Sequence, residues 1–226
     1  MSADKPPSSV CLPVGVILAG GLSRRMFATS SVTSAGGDKS LLALGETTML
    51  AHVIDRVQPQ VSALAINANG DASRFVEFGL PVIADTIGGF VGPLAGVLAG
   101  MRWAIAVAPA ATHICSVSAD APFLPADLVQ RLGQAIQSLP RAIALAQSGG
   151  ELHPVIGCFP VALADDLEAA LAAGIRKVVR WTDVHGTVPV PFEFCDVAGE
   201  KIDPFFNANT PEELDAARRL LSRLIS

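Results

Sequence analysis

The residues able to do chemistry in this 226-residue chain gather in a few short segments. The first is Leu18-Ala19-Gly20-Gly21-Leu22-Ser23-Arg24-Arg25-Met26, followed by Asp38-Lys39. Glycines expose amide donors to phosphate oxygens, and Arg24 and Lys39 can neutralise the charge that builds as pyrophosphate leaves. The segment reads as a triphosphate cradle; the alternative is a glycine turn followed by solvated cations. It lacks the Gly-Lys-Ser/Thr ending of a P-loop and the third glycine of a dinucleotide fingerprint.

Asp120 follows an apolar run and precedes the proline turn Ala121-Pro122. An acid there has no packing role and can face a cation. Mg²⁺ takes one or two carboxylates together with substrate phosphates and water, so Asp120 is the leading metal ligand, with a turn or capping aspartate as the alternative. Asp85 is similarly placed after another strand and could equally be a turn residue. Asn67 and Asn69 can read the edges of a base or satisfy a turn by themselves. Gly92-Pro93-Leu94-Ala95-Gly96 opens a helix with small residues, which lets a ligand approach its positive end or simply lets the helix pack. Of the histidines, His153 alone sits at a plausible loop edge; His52 and His113 read as structural. No Ser/His/Asp order or Cys/His pair points to covalent catalysis.

These residues must be positioned by regular elements. Val14–Ala19 is a continuous apolar run ending in Gly20-Gly21, as expected of a strand buried on both faces. Further strands are expected at 63–67, 80–84 and 112–118, with helices at 49–57, 93–108 and from Pro125 to about Ser138. Strands and helices alternating in this way give an α/β fold with a mostly parallel sheet covered on both faces. Ligands of such sheets lie outside the carboxyl ends of the strands, where Gly20–Lys39, Asn67–Gly70, Asp85–Gly92 and Asp120 all fall. In the second half, strands are expected at 142–147 and 155–159 and helices at 164–173 and 175–184. Thr210, Pro211 and Glu213 form a capping box that opens a last helix.

Half the residues are hydrophobic and 16% are charged, with a net charge of −5, which argues against a broad grip on nucleic acid. Residues 1–12 are expected to be a disordered arm and 13–226 one domain. Cys11, Cys115, Cys158 and Cys195 are widely spaced and read as buried reduced thiols. No apolar leader or run of about 18 residues is found, so no membrane span is expected and a cytoplasmic location follows.

The stretches LAGGLSRRM (18–26), DKSLL (38–42), INAN (66–69), GPLAG (92–96), SADAPFLP (118–125), HPVIG (153–157) and FNANTPEEL (206–214) run in order along nearly the whole chain. Together they resemble the molybdenum cofactor guanylyltransferase (MobA) family. The resemblance implies a Rossmann-like, three-layer α/β/α nucleotidyltransferase that moves GMP from GTP to the phosphate of molybdopterin. It implies that Leu18, Ala19, Gly20, Gly21, Lys39, Asn67, Asp85, Gly92, Pro93 and Leu94 meet the nucleotide, mostly within about 14–125. Asp120 would coordinate Mg²⁺, and Arg24 and Lys39 would assist the leaving group. His153, Arg176, Lys177, Arg180, Asn207 and Asn209, in the part from about 126 to 226, would line the pterin side. Molybdenum-insertion proteins and molybdoenzyme maturation factors are the partners such an enzyme implies.

The family passes from Arg-Met-Gly almost directly to Asp-Lys, whereas Phe27–Ala35 intervene here. Doubling a loop costs only about 0.6 kcal/mol, so the cradle can still close. The rival readings are a CTP-dependent cytidylyltransferase, a sugar-phosphate nucleotidyltransferase, and a nucleotide-binding carrier of cofactor without catalysis.

Overall fold

A computed structural model describes residues 12–20, 38–88, 92–197 and 199–225. The expected arm at 1–12 (apart from Leu12), Gly21, Arg24 and the Phe27–Ala35 insertion lie outside these residues. The chain opens with β1 (Val14–Leu18), then the short strands β2 (Ala43–Leu44) and β3 (Thr47–Thr48) and helix α1 (Met49–Val57). Next come β4 (Leu64–Asn67), β5 (Val82–Ile83), α2 (Pro93–Val107), β6 (His113–Ser118) and α3 (Leu128–Ala135). The second half adds β7 (Ile143–Ser148), β8 (Glu151–Pro160), α4 (Ala164–Ala172), α5 (Val178–Thr182) and β9 (Thr187–Pro191). A hairpin of β10 (Cys195–Val197) and β11 (Glu200–Ile202) leads to α6 (Pro211–Ile225).

Seven strands form the central sheet in the order β5-β4-β1-β6-β8-β7-β9. β5, β4, β1 and β6 are mutually parallel, β8 runs antiparallel to both β6 and β7, and β9 is parallel to β7. Six strands therefore point one way, and their carboxyl ends share one edge with the start of β8. Alternation along β1 divides the core. Ile17 and Ala19 pack with α1 and α3, while Val14 and Val16 pack with α2, α4 and α5. This is the expected three-layer α/β/α arrangement with a mostly parallel sheet.

A third, smaller cluster matters for the site. Leu44, Met49, Ala208, Leu214 and Ala217 are buried together, docking α6 on the β2–β3 hairpin. Arg218 reinforces the contact by donating from Nε and Nη2 to the Ala43 carbonyl at 3.2 and 2.9 Å. The chain just before α6 is thus brought beside the Asp38-Lys39 segment.

Several boundaries differ from the sequence expectation. The helix expected from Pro125 begins at Leu128 and ends at Ala135. That expected at 175–184 is confined to Val178–Thr182 with a 3-10 turn to His185. Among the cysteines, Cys115 and Cys158 are buried, but Cys195 is exposed on the β10–β11 hairpin, outside the main sheet; Cys11 is outside the described residues. Among the described residues no helix is long and apolar enough to cross a membrane.

Candidate active site

Three ladder bonds extend beyond the central strands and align their exits. Ala19 donates to the Asn67 carbonyl at 2.8 Å, Ala119 to the Leu18 carbonyl at 3.1 Å, and Ala68 to the Ile83 carbonyl at 3.0 Å. The residues that follow must emerge side by side. Asp120 comes off β6 with 6% of its surface exposed. The Ser118 hydroxyl donates to its Oδ1, and the Lys39 ammonium ion-pairs with its Oδ2. Lys39 also donates to the side-chain oxygen of Asn209. A single ammonium group thus joins the first loop, the end of β6 and the approach to α6.

Local chemistry places each of these groups. Asp38 caps the 3-10 turn that carries Lys39, its Oδ1 accepting from the Ser40 amide at 3.0 Å and hydroxyl at 2.7 Å. Asn209 is fixed by the expected capping box: Thr210 Oγ1 accepts from the Glu213 amide at 3.2 Å. The Glu213 carboxylate in turn accepts from the Thr210 amide at 3.0 Å and the Asn209 amide at 2.7 Å. The Ala208 amide donates to the Asp120 carbonyl at 3.2 Å, tying the segment directly to the metal candidate.

A second group lies at the ends of β4 and β5. Asn67 Nδ2 donates to Asp85 Oδ1 at 3.0 Å and to the Ile83 carbonyl at 3.1 Å. Asn69 Nδ2 donates to Asp85 Oδ2 at 2.8 Å, and its Oδ1 accepts from the Asp85 amide at 3.0 Å. Helix α2 closes over this group because Gly96 has no side chain: a Cβ there would sit 2.2 Å from Asn67 Oδ1. Gly92, at φ +82°, supplies the left-handed turn before Pro93, and Leu94 is buried behind it. Arg74, not singled out in the sequence, spans two loops. Its Nη2 donates to the Asn69 carbonyl at 2.7 Å, and its Nε lies 3.9 Å from Asp38 Oδ2.

The residues assigned to the pterin side are placed unevenly. Asn207 and Asn209 lie on the segment bonded to Asp120, and Asn207 Oδ1 is buried without a partner. His153 lies two residues into β8, near the same sheet edge, bonded to Ser148. Arg176 donates from Nη1 to the Leu171 and Ile175 carbonyls at 2.6 and 3.0 Å, closing the end of α4. Lys177 caps α5, and both it and Arg180 are exposed. Gly92 brings α2 next to this stretch, since a Cβ on it would be 3.8 Å from the Arg176 carbonyl. Sequence reasoning missed Ser148, Asp203 and Arg74. Each is an ordinary loop-edge residue until the topology brings its partner to it.

Could this edge hold Mg²⁺? Among the described residues there is no cluster of three or more His, Cys, Asp or Glu side chains. A single carboxylate is nevertheless the protein share expected of a magnesium ion that takes its other ligands from phosphates and water. Asp120 already carries the ion-paired cation Lys39, and Asn207 offers an unsatisfied oxygen on the adjoining segment. The donor set fits.

Comparison with known proteins places the chain in a family and agrees with its fold. Residues 15–187 match the MobA-like NTP transferase domain. A Bradyrhizobium sp. protein named molybdenum cofactor guanylyltransferase is 48% identical over 207 residues, 91% of this chain and 92% of its own. A Rhodopseudomonas palustris protein of the same name is 49% identical over 209 residues, covering 92% and 93%. Among solved structures, molybdopterin-guanine dinucleotide biosynthesis protein A from Archaeoglobus fulgidus superposes with a TM-score of 0.67 at 19% identity, covering 93% of this chain and 99% of its own. A Mycobacterium tuberculosis protein solved in complex with manganese gives 0.60 at 19% identity, covering 92% and 98%. At such identities the structural matches speak for the fold.

Proposed function

Because this chain belongs to the MobA-like NTP transferase family, we propose that it transfers GMP from GTP to the terminal phosphate of molybdopterin, giving the guanine dinucleotide cofactor and pyrophosphate. The observation that carries the reading is the Lys39 ammonium held between Asp120 and Asn209, at the sheet edge where a triphosphate would lie.

An oxygen of the molybdopterin phosphate attacks the α-phosphorus of GTP, forming a new P–O bond as the α–β bridge breaks and pyrophosphate departs. A phosphate nucleophile is already ionised at neutral pH, so no general base is required, and catalysis is positioning and charge stabilisation. Lys39 binds the β- and γ-phosphates and neutralises the departing charge, aided by Arg24. Leu18, Ala19, Gly20 and Gly21 present backbone to the phosphates, and the amino end of α2, from Gly92 to Leu94, supports them with its dipole. Asn67 and Asp85, braced by Asn69, read the guanine. Asp120 would hold Mg²⁺, which would supply Lewis-acid charge for the phosphates. The relative solved with manganese supports use of a divalent ion. The part from about 126 to 226, including His153, Asn207 and Asn209, with Arg176, Lys177 and Arg180 at its margin, receives the pterin. The cytoplasm is the corresponding compartment.

Release of pyrophosphate from GTP, CTP, ATP and UTP, each with and without molybdopterin, tests this reading. Release is expected from GTP and only when molybdopterin is present. Preference for CTP would move the chain to the cytidylyl branch, and binding without release would make it a carrier.

A further inference from the structure

Ser148, His153 and Asp203 form a bonded group to which the reaction above gives no internal order. β7 ends at Ser148, and Gly149 and Gly150, both at positive φ, turn the chain into β8. The β7–β8 register then breaks: Leu145 pairs with Gly157 but Ala146 pairs with His153, leaving Pro154, Val155 and Ile156 as a bulge. Bulges of this sort re-aim side chains beside active sites. Here the bulge sets His153 on Phe205, with ring centroids 4.6 Å apart, and Phe205 packs edge-on against Phe192.

The hydrogen bonds then fix where the imidazole proton resides. The Ser148 hydroxyl donates to Asp203 Oδ1 at 2.8 Å, and the Phe205 amide donates to the same oxygen at 2.8 Å. A hydroxyl has one hydrogen, so the 2.6 Å contact between Ser148 Oγ and His153 Nε2 must be a bond in which Nε2–H donates. Burial holds the His153 pKa below its ordinary value, against the opposing fields of Asp203 and Glu151, and keeps the ring neutral at pH 7. A neutral ring protonated on Nε2 carries its lone pair on Nδ1, and Nδ1 has no hydrogen-bond partner among the described residues.

The group is joined to the reaction edge by its own chain. Asp203 and Phe205 begin the segment whose Ala208 bonds the Asp120 carbonyl and whose Asn209 bonds Lys39. A lone pair offered there repels a phosphate and suits a heterocycle edge rich in N–H groups. We propose that Ser148 and Asp203 are positioning residues that lock His153 in its Nε2–H form, so that Nδ1 accepts a hydrogen bond from an N–H of the pterin. The pterin as donor rests on the guanylyltransferase reading; the locked tautomer does not.

Two measurements on the full chain separate these parts. Nitrogen-15 spectra of histidine-labelled protein at neutral pH should show His153 protonated on Nε2 in the wild type. Ser148→Ala should release it to mixed tautomers, whereas Asp203→Asn, which keeps the accepting oxygen, should leave it locked. A wild-type Nδ1–H tautomer, or a Ser148→Ala spectrum like wild type, overturns the proposal. In steady-state kinetics Ser148→Ala should raise KM for molybdopterin about tenfold, the loss of one well-made hydrogen bond, with KM for GTP and kcat nearly unchanged. Asp203→Asn should stay close to wild type. An unchanged molybdopterin KM in Ser148→Ala removes the pterin role even if the tautomer is locked. If the wild type releases no pyrophosphate from GTP and molybdopterin, the guanylyltransferase reading fails, while the spectra still decide the tautomer.

Discussion

Replacing Gly96 with alanine tests how the Asn67–Asp85 group, proposed above to read the guanine, is held. The new methyl carbon would lie 2.2 Å from Asn67 Oδ1, 2.8 Å from Leu18 Cδ2 and 3.0 Å from Asn67 Cγ. Relief requires Asn67 or α2 to move by roughly 1 Å, since comfortable carbon contacts are near 3.5 Å. Asn67 cannot yield freely, because its amide nitrogen is committed to Asp85 and to the Ile83 carbonyl. Overpacking of this kind costs about 1–3 kcal/mol, and a strained hydrogen bond adds about 1 kcal/mol. Alanine returns about 0.5–1 kcal/mol through its helix preference. A net loss of about 2 kcal/mol remains, which for a chain of this length lowers Tm by about 4–8 °C.

The functional signature is more specific. Displacing Asn67 unhooks Asp85, so KM for GTP should rise about tenfold in Gly96→Ala. Gly100→Ala is the control: its methyl would press on Val16 at 2.6 Å, one helical turn from the site. It should destabilise comparably and leave KM for GTP alone. Thermal unfolding and initial rates on the two variants give both quantities. A Gly96→Ala protein as stable as wild type with an unchanged GTP KM would refute the reasoning, and so would an equal rise in KM for Gly100→Ala.

Thr210→Ala removes the hydroxyl that accepts from Glu213 at the start of α6, and should cost about 1 kcal/mol in denaturant unfolding. It should also raise KM, because Asn209 and its bond to Lys39 depend on that cap. Burial lowers the pKa of His113, and burial likewise dominates the lowering for His153. As pH falls below about 6.5 the unfolded chain takes up protons that the folded chain refuses, so stability should decline from pH 7.5 to 5.5. His113→Gln should make that decline shallower, as read from unfolding midpoints at the two values.

Much of the edge where the strand exits converge is legible in the sequence because it depends on local rules. Apolar runs ending in glycine, asparagine or aspartate mark strand exits, and the parallel sheet then places Leu18, Asn67, Ile83 and Ser118 side by side, with Asp85 and Asp120 two residues beyond. The Thr210 capping box is equally local. Boundaries fail where a distant residue sets them. Gln60 accepts from the Val129 amide at 2.9 Å and so caps the start of α3, a contact no window around Pro125 contains. Arg176 closes the carbonyls at the end of α4, holding 175–177 out of the helix expected there. The antiparallel insertion of β8 is likewise invisible to alternation. It brings His153 back beside Ser148, and the segment after β11 then adds Asp203, so of the three only His153 stands out in the sequence.

The central claim is that Asp120 holds the divalent ion of a bound nucleoside triphosphate. Its most direct test is GTP affinity by calorimetry, with and without Mg²⁺, for wild type and Asp120→Asn. Wild type should bind GTP more tightly with Mg²⁺, and the variant should lose at least about tenfold of that gain, the equivalent of a charge-assisted contact worth roughly 1.5–3 kcal/mol. An Asp120→Asn protein with the same magnesium-dependent gain as wild type would contradict the account.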